Sequence, residues 1–421
     1  MTCFEYQQDV LHVESVAVPD IVASVGSPVY IYSRRYLETQ YQRLVAAFSG
    51  TDVRIYYAVK ANSNLAILRC FAALGAGFDI VSAGELSRVL AAGGDPAKVV
   101  FSGVGKTTEE IDFALKLGID CFNVESAAEL DRLSARAELL NKVASVAVRV
   151  NPDVDARTHP YISTGLKENK FGVPIEQARD LYRTAADRQW LKTTGIACHI
   201  GSQMSEAEPI LEALQNLMVL HEELSNDGFE LDHLDLGGGF GVSYDDEPEF
   251  DIAAFGSALR AALADRPSSD RPLALAVEPG RFLVANAGIL VTKVEYLKPA
   301  PTPQHRNFAV VDAAMNDLIR PALYQAWHRV ENVHRGSGTA SASWDIVGPV
   351  CESGDFLAKE RPLSVAEGDL LAIHSAGAYG MVQSSNYNSR PRPAEVLVDV
   401  ADFQVVRRRE TSADQLRLEI L

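Results

Sequence analysis

Four short stretches of this 421-residue chain carry residue types that could do covalent chemistry together. Lys60 follows the alternating run Arg54 to Val59, which sets an amine among apolar and aromatic neighbours. Partial desolvation there disfavours the ammonium and makes a nucleophile able to capture a carbonyl. Any single lysine at a strand end is more simply a solvated side chain, so Lys60 argues only in company. Leu234-Asp235-Leu236-Gly237-Gly238-Gly239 runs a strand into three glycines, whose backbone N–H groups can approach a phosphate closely, with a plain tight turn as the alternative. Glu278 ends the run Leu273 to Val277 and precedes Pro279-Gly280-Arg281. At that depth its carboxylate needs a cation, either a pyridinium N–H or Arg281 itself. His199, followed by Ile200-Gly201-Ser202, offers a flat ring for stacking, although a lone histidine is more often a satisfied core residue. An amine, a phosphate cradle, a carboxylate for a ring nitrogen and a stacking ring form the inventory for pyridoxal 5'-phosphate, an electron sink for carbanions of amino acids.

The elements that must position these groups are β-like runs that each end on a polar or glycine cluster: Arg54 to Val59, Phe78 to Val81, Lys98 to Phe101, Asp120 to Val124, Ser145 to Val150, Gly195 to Ile200, His233 to Leu236 and Leu273 to Val277. Helical patterns lie between them, such as Leu65/Leu68/Ala72 and Ile252/Phe255/Leu259/Leu263. Thr107 with Glu110 and Ser205 with Glu208 read as capping boxes at two helix starts. Strand then helix, eight times over, predicts an α/β fold, a (β/α)8 TIM barrel whose chemistry sits at the carboxyl ends of its strands. After Arg281 short β-like runs separated by Pro, Gly and Ser predict an all-β domain, Greek-key or β-sandwich-like, which the β-like runs Leu11 to Val16 and Val29 to Tyr32 would complete. The domain expectation is a barrel over 33–284 and a discontinuous β domain of 1–32 and 285–421. The connection Asn151 to Gly172 is long enough to suggest function.

Composition narrows the partners. A formal net charge of −17, with no long Lys/Arg run, argues against nucleic acid and anionic membrane surfaces and leaves small molecules. No apolar stretch spans a bilayer and Met1 to Tyr6 lacks a secretory pattern, so the expected location is cytoplasmic. Five scattered cysteines without a CxxC pair predict neither a disulfide framework nor structural zinc, and no ligand-spaced cluster predicts another metal. Two look-alikes fail on spacing: the glycines at 237–239 leave the last position of GxGxxG unfilled, and Val100 stands where a P-loop ahead of Gly105-Lys106-Thr107 needs its first glycine.

Tyr57-Ala58-Val59-Lys60-Ala61-Asn62, His199-Ile200-Gly201-Ser202-Gln203, Gly237 to Gly239 and Glu278 to Arg281 together resemble the fold-type III pyridoxal-phosphate decarboxylases. Thr158 to Gly165, Glu168 to Gly172, Met315 to Tyr324, Cys351 to Asp355 and Gly377 to Gly380 resemble the diaminopimelate decarboxylase family within that group, across almost the whole chain. Ser353, where that family often has Thr, is a conservative departure. The resemblance implies that Lys60 carries the cofactor and that His199, Ser202, Gly238, Gly239, Glu278, Pro279, Gly280, Arg281 and Tyr379 surround it. It implies that Arg281, Arg320, Tyr324, Glu352 and Tyr379 bind an amino-acid substrate charged at both ends. Lys60, His199, Glu278 and Cys351 become the catalytic set, with Cys351 as proton donor reaching a neighbouring subunit's site in a homodimer. The activity implied is decarboxylation of meso-2,6-diaminopimelate to L-lysine. Ornithine or arginine decarboxylation, alanine racemisation and non-catalytic cofactor carriage are the rivals. Substrates lacking a distal carboxylate would leave the cationic positions unpaired, and a carrier would need no Cys351-Glu352 segment.

Overall fold

The computed structural model describes residues 3–155, 170–245, 247–264, 273–302, 304–336 and 341–420. The segments Thr158 to Gly165 and Glu168 to Asn169 lie outside the described residues. The chain divides into two units, one of Gln40–Val242 and Pro248–Phe282, the other of Met1–Thr39, Ser243–Glu247 and Leu283–Leu421.

The first unit is a closed barrel of eight strands: β1 (Val53–Ala58), β2 (Gly77–Ile80), β3 (Val99–Phe101), β4 (Cys121–Val124), β5 (Ala144–Asn151), β6 (Leu191–Ala197), β7 (His233–Asp235) and β8 (Ala274–Val277). Each pairs in parallel with the next, and β8 closes on β1. The runs are mostly apolar because a parallel strand is covered by side chains inside and helices outside. Tyr56, Val100, Cys121, Ala147, Ala197 and Ala276 pack together as one buried cluster drawn from six of the strands. The expected runs were placed correctly and their edges shifted. Pro96–Lys98 forms a single 3-10 turn, so β3 begins at Val99, and β6 stops at Ala197, which leaves His199 on the loop beyond it.

Helix starts follow local side-chain chemistry. Thr107 and Glu110 form the reciprocal capping box expected of them. Ser205 does not cap: the helix Glu208–Asn226 begins with Ala207 at its N-cap and Pro209 in its first turn, two residues downstream of the hydroxyl. The apolar stripe of Leu65–Ala73 also lies one step round from the expected one, since Ile67, Leu68, Cys70 and Phe71 are buried while Leu65 is 41% exposed.

In the second unit, strands run in the order Phe356–Leu363, Ala342–Val347, Asn307–Val311, Gly288–Lys298, Val29–Ser33, Ala394–Asp399 and Asp402–Arg407, with Leu370–Ile373 also on Gly288–Lys298 and Val330–Asn332 on Leu370–Ile373. Val29–Ser33 lies antiparallel to Gly288–Lys298 and parallel to Ala394–Asp399, so the opening residues complete an all-β domain. Leu11, Val29, Ile31, Ile289, Val291 and Val396 meet in its core. Leu11 to Val16 is not one strand as expected. Glu14 adopts a φ of 55° and turns the chain into a hairpin of Val10–Val13 and Val16–Ala17. Its buried carboxylate accepts from Ser33 Oγ at 2.6 Å and from the backbone N–H groups of Arg35 and Val400. Among the described residues no helix is long and apolar enough to cross a membrane.

Candidate active site

Lys60 sits in a single 3-10 turn, Val59–Ala61, directly after β1. Its Nζ donates to Asp79 Oδ2 at 2.5 Å. The amine expected among apolar neighbours therefore also faces a buried carboxylate, with its own side chain 37% exposed. Asp79 is fully buried on β2, and its Oδ1 has no hydrogen-bond partner. Sequence reading missed this residue, although a charge inside Phe78-Asp79-Ile80-Val81 is a signal, because an ionised group survives in a buried strand only with a partner.

Two further acids are buried in the same barrel unit. Glu278 follows β8 and accepts from Ser102 Oγ at 3.4 Å, and Asp235 ends β7 and accepts from the Gly237 N–H at 2.9 Å. Burial, then the charges of Asp235 and Asp79, push the Glu278 carboxyl well above its usual range, with Lys60 and Arg149 offsetting part of the rise. Asp235 is raised in the same direction, chiefly by burial. Burial pushes the Glu85 carboxyl up to about 7, against the lowering effect of the hydrogen bond it accepts from the Val81 N–H. Asp79, Asp235 and Glu278 face Lys60 and an Arg149 that is itself paired with the buried Glu125 at 3.4 Å, a set of acids that a protonated ring nitrogen or an amine would help balance.

The glycine loop is walled by backbone. Gly237 and Gly239 have φ of 68° and 100°, open to glycine at little cost. A Cβ on Gly238 would lie 2.1 Å from the Glu278 carbonyl oxygen. The glycine loop is tied to the Glu278 segment where the Glu278 N–H donates to the Gly237 carbonyl at 2.7 Å, and that segment is tied to the end of β1 where the Ala58 N–H donates to the Pro279 carbonyl at 3.1 Å. Gly238→Ala should force them apart, lowering stability by about 1–3 kcal/mol and releasing a bound phosphate ester more readily. Calorimetry and a dialysis test of cofactor retention check this.

The Gly238 N–H donates to His199 Nδ1 at 3.1 Å, so Nδ1 is the unprotonated ring nitrogen. Burial, with Arg149 and Lys60 nearby, holds this imidazole well below its usual pKa and therefore neutral. Arg281 is buried and its Nη2 donates to Ser202 Oγ at 3.1 Å. Lys106 of the rejected P-loop pattern has a side chain only 1% exposed, committed to Glu129 and to the carbonyls of Gly103 and Asn123.

The remaining candidates belong to the β unit. Arg320, 7% exposed, opens the short helix Arg320–Tyr324. Its guanidinium donates to His328 Nε2 at 3.0 Å and lies 4.8 Å from the centre of the Tyr244 ring. His328 Nδ1 faces the His374 carbonyl at 2.8 Å, which puts the ring proton on Nδ1 and leaves Nε2 to accept. Neither His328 nor Tyr244 was foreseen, since each gains meaning only beside the arginine. Tyr324 and Tyr379 are half-buried, Tyr379 with a φ of 56°. Cys351 and Glu352 occupy an exposed turn, where the Cys351 N–H donates to Asn388 Oδ1 at 3.0 Å and the Tyr387 hydroxyl donates to Glu352 Oε1. The barrel unit thus gathers Lys60, His199, Ser202, the glycines and Glu278 to Arg281, while the β unit holds Arg320 and the Cys351-Glu352 turn in separate hydrogen-bonded groups.

Residues 34–285 match the family model of the pyridoxal-dependent decarboxylases, pyridoxal binding domain. A diaminopimelate decarboxylase of Pseudomonas aeruginosa is 56% identical, with 98% of this chain and 97% of that protein covered. One of Haemophilus influenzae is 51% identical over 100% of this chain and 99% of its own. The crystal structure of diaminopimelate decarboxylase from Helicobacter pylori complexed with L-lysine superposes with a TM-score of 0.90 at 40% identity, covering 95% of this chain and 98% of that one. With that likeness spanning both the barrel and the β domain, the chain belongs to the pyridoxal-dependent decarboxylases, in their diaminopimelate decarboxylase branch.

Proposed function

We propose that this protein removes one carboxylate from meso-2,6-diaminopimelate to give carbon dioxide and L-lysine, the last step of lysine biosynthesis by the diaminopimelate route, with pyridoxal 5'-phosphate as cofactor. The observation that carries the reading is the Lys60–Asp79 pair in a barrel unit whose acids Asp235 and Glu278 are buried with raised pKa values, beside a loop where a side chain on Gly238 would strike backbone. That donor set fits an aldehyde-bearing, phosphorylated, protonatable ring. When bound, the cofactor supplies an electron-poor ring conjugated to the substrate nitrogen, which takes up the electron pair left as carbon dioxide departs.

The chain's own residues do the rest. Lys60 holds the aldehyde, and Asp79 fixes where its Nζ lies. His199 offers a neutral ring for stacking, Ser202, Gly238, Gly239, Pro279, Gly280 and Arg281 would hold the cofactor in the barrel unit, and the family resemblance gives Tyr379 a cofactor-binding role as well. Glu278, whose carboxyl pKa is raised by burial and by Asp235 and Asp79, would share its proton with the ring nitrogen and stand as the carboxylate that pairs with the resulting cation. Arg281, Arg320, Tyr324, Glu352 and Tyr379 hold the substrate, guanidinium forks on carboxylates and Glu352 on an ammonium. Fixing the distal end decides which bond at the α-carbon is broken. Cys351 returns a proton to that carbon. The resemblance to the family implies that this thiol serves a neighbouring subunit's site, so the proposed working form is a homodimer with shared active sites. For this reading the barrel domain is 33–284 and the β domain 1–32 with 285–421. Five free cysteines accord with a reducing, cytoplasmic setting.

Purified protein incubated with meso-diaminopimelate, L-ornithine or L-alanine is expected to release carbon dioxide rapidly only from the first. Equal release from ornithine would remove the assignment of substrate. Cys351→Ala should keep its cofactor absorption and lose about 100-fold in turnover, measured by lysine formation. Turnover near that of the parent would take the thiol out of the reaction.

A further inference from the structure

We infer that Tyr387 is a positioning residue for substrate selection, its phenol orienting the Glu352 carboxylate toward the substrate's distal ammonium. The inference rests on the substrate and on the role of Glu352 proposed above, and adds the residue that makes Glu352 selective.

The Tyr387 hydroxyl donates to Glu352 Oε1, which commits one carboxylate oxygen and aims the other. A neutral donor is the chemically apt choice. Lysine or arginine in its place would orient the acid equally well but would cancel the charge an ammonium has to find. Both residues are exposed in this chain, Tyr387 by 46%, and a lone exposed hydrogen bond would be too weak to hold two free side chains. Here neither partner is on a free segment.

The turn bearing Glu352 is anchored through Asp355, whose carboxylate accepts from the Val350 N–H at 2.8 Å and the Met315 N–H at 2.7 Å. The segment bearing Tyr387 is braced at several points. Asn386 donates to the Arg390 carbonyl and to Glu410, and Glu410 is in turn held by Arg392, which with these bonds pulls its carboxyl down to about 2 despite partial burial. Ser385 donates through its N–H to the Asn316 carbonyl at 2.9 Å. Asn388 and Ser389 both take left-handed backbone, φ of 56° and 55°, unusual for two successive residues that carry a Cβ. That conformation is met where Asn388 Oδ1 receives the Cys351 N–H. The same short segment therefore holds the backbone of the proposed proton donor and the side chain of its neighbour. Such bracing, including strained backbone at a surface turn, is the pattern of a preorganised site and not of a solvated loop.

The test is a double-mutant cycle on the holoenzyme. Tyr387→Phe removes one oxygen and keeps the ring. It should raise KM for meso-diaminopimelate about tenfold, change kcat less than threefold, and leave cofactor absorption and Tm as they were. Glu352→Gln should raise KM at least as much, and adding Tyr387→Phe to it should change KM no further, because the phenol acts through the carboxylate. A structural role would instead lower Tm and kcat in both backgrounds. A raised KM in Glu352→Gln with an unchanged KM in Tyr387→Phe, or equal effects of Tyr387→Phe in both backgrounds, overturns the inference alone. An unchanged KM in Glu352→Gln overturns the role given to Glu352, and the inference with it.

Discussion

Lys60→Ala is expected to abolish the visible absorption of bound cofactor and to lower turnover at least ~1000-fold, since the covalent anchor and the amine that releases product are the same atom. The substitution acts on stability as well. Asp79 is fully buried, accepts from Lys60 through Oδ2 and has no hydrogen-bond partner at Oδ1, so deleting its cation leaves a carboxylate in a dry strand. Breaking a fully buried pair costs about 3–5 kcal/mol, and the 37% exposure of the Lys60 side chain reduces that to about 1–3 kcal/mol here. The double variant Lys60→Ala/Asp79→Asn removes the orphaned charge. It should therefore regain most of the lost Tm and none of the activity. Persistence of the absorption in Lys60→Ala would show that the anchor lies elsewhere, and a double variant no more stable than the single one would break the link to Asp79.

Glu278→Gln should move stability and catalysis in opposite directions. The Glu278 pKa is raised in the folded chain by burial and by the charges of Asp235 and Asp79. A carboxyl with a raised folded pKa contributes its full share of stability below the ordinary value near ~4.3. It loses that share as pH climbs through the folded pKa, because the unfolded chain releases a proton the folded chain must keep. Glutamine does not titrate. The cofactor-free variant should therefore match the parent near pH 4 and exceed it at pH 8, by about 2 °C in Tm for each kcal/mol relieved. Turnover should nevertheless fall about 100-fold, since an amide cannot share an acidic hydrogen with the ring nitrogen. Calorimetry between pH 4 and 8 and steady-state kinetics read the two effects. Turnover within threefold of the parent would end the case for Glu278, and a constant Tm difference across that range would refute the pH argument.

Much of the barrel was readable in one dimension. Its strands are short apolar runs ending on polar residues, and in a (β/α)8 fold chain order is also order round the barrel, so Lys60, Gly237 to Gly239 and Glu278 could be assigned to the ends of strands one, seven and eight before any contact was known. Family resemblance alone singled out Cys351, because a lone exposed cysteine has no local signature. Edges moved where a single residue outweighed the pattern: Pro209 delayed a helix past Ser205, and left-handed Glu14 broke a strand in two.

What the linear order could not contain was pairing. Asp79 meets Lys60 only because β1 and β2 are neighbours, and Asp235 comes to act on Glu278 only because β7 pairs with β8. Tyr387 reaches Glu352 across 35 positions of chain. Residue type and local rhythm determine which side chains stand at a strand's end, for these depend on near neighbours along the chain. Protonation, charge balance and orientation depend on groups that closure of the barrel and folding of the β domain bring within a few ångströms, and electrostatic energy follows that distance and its burial.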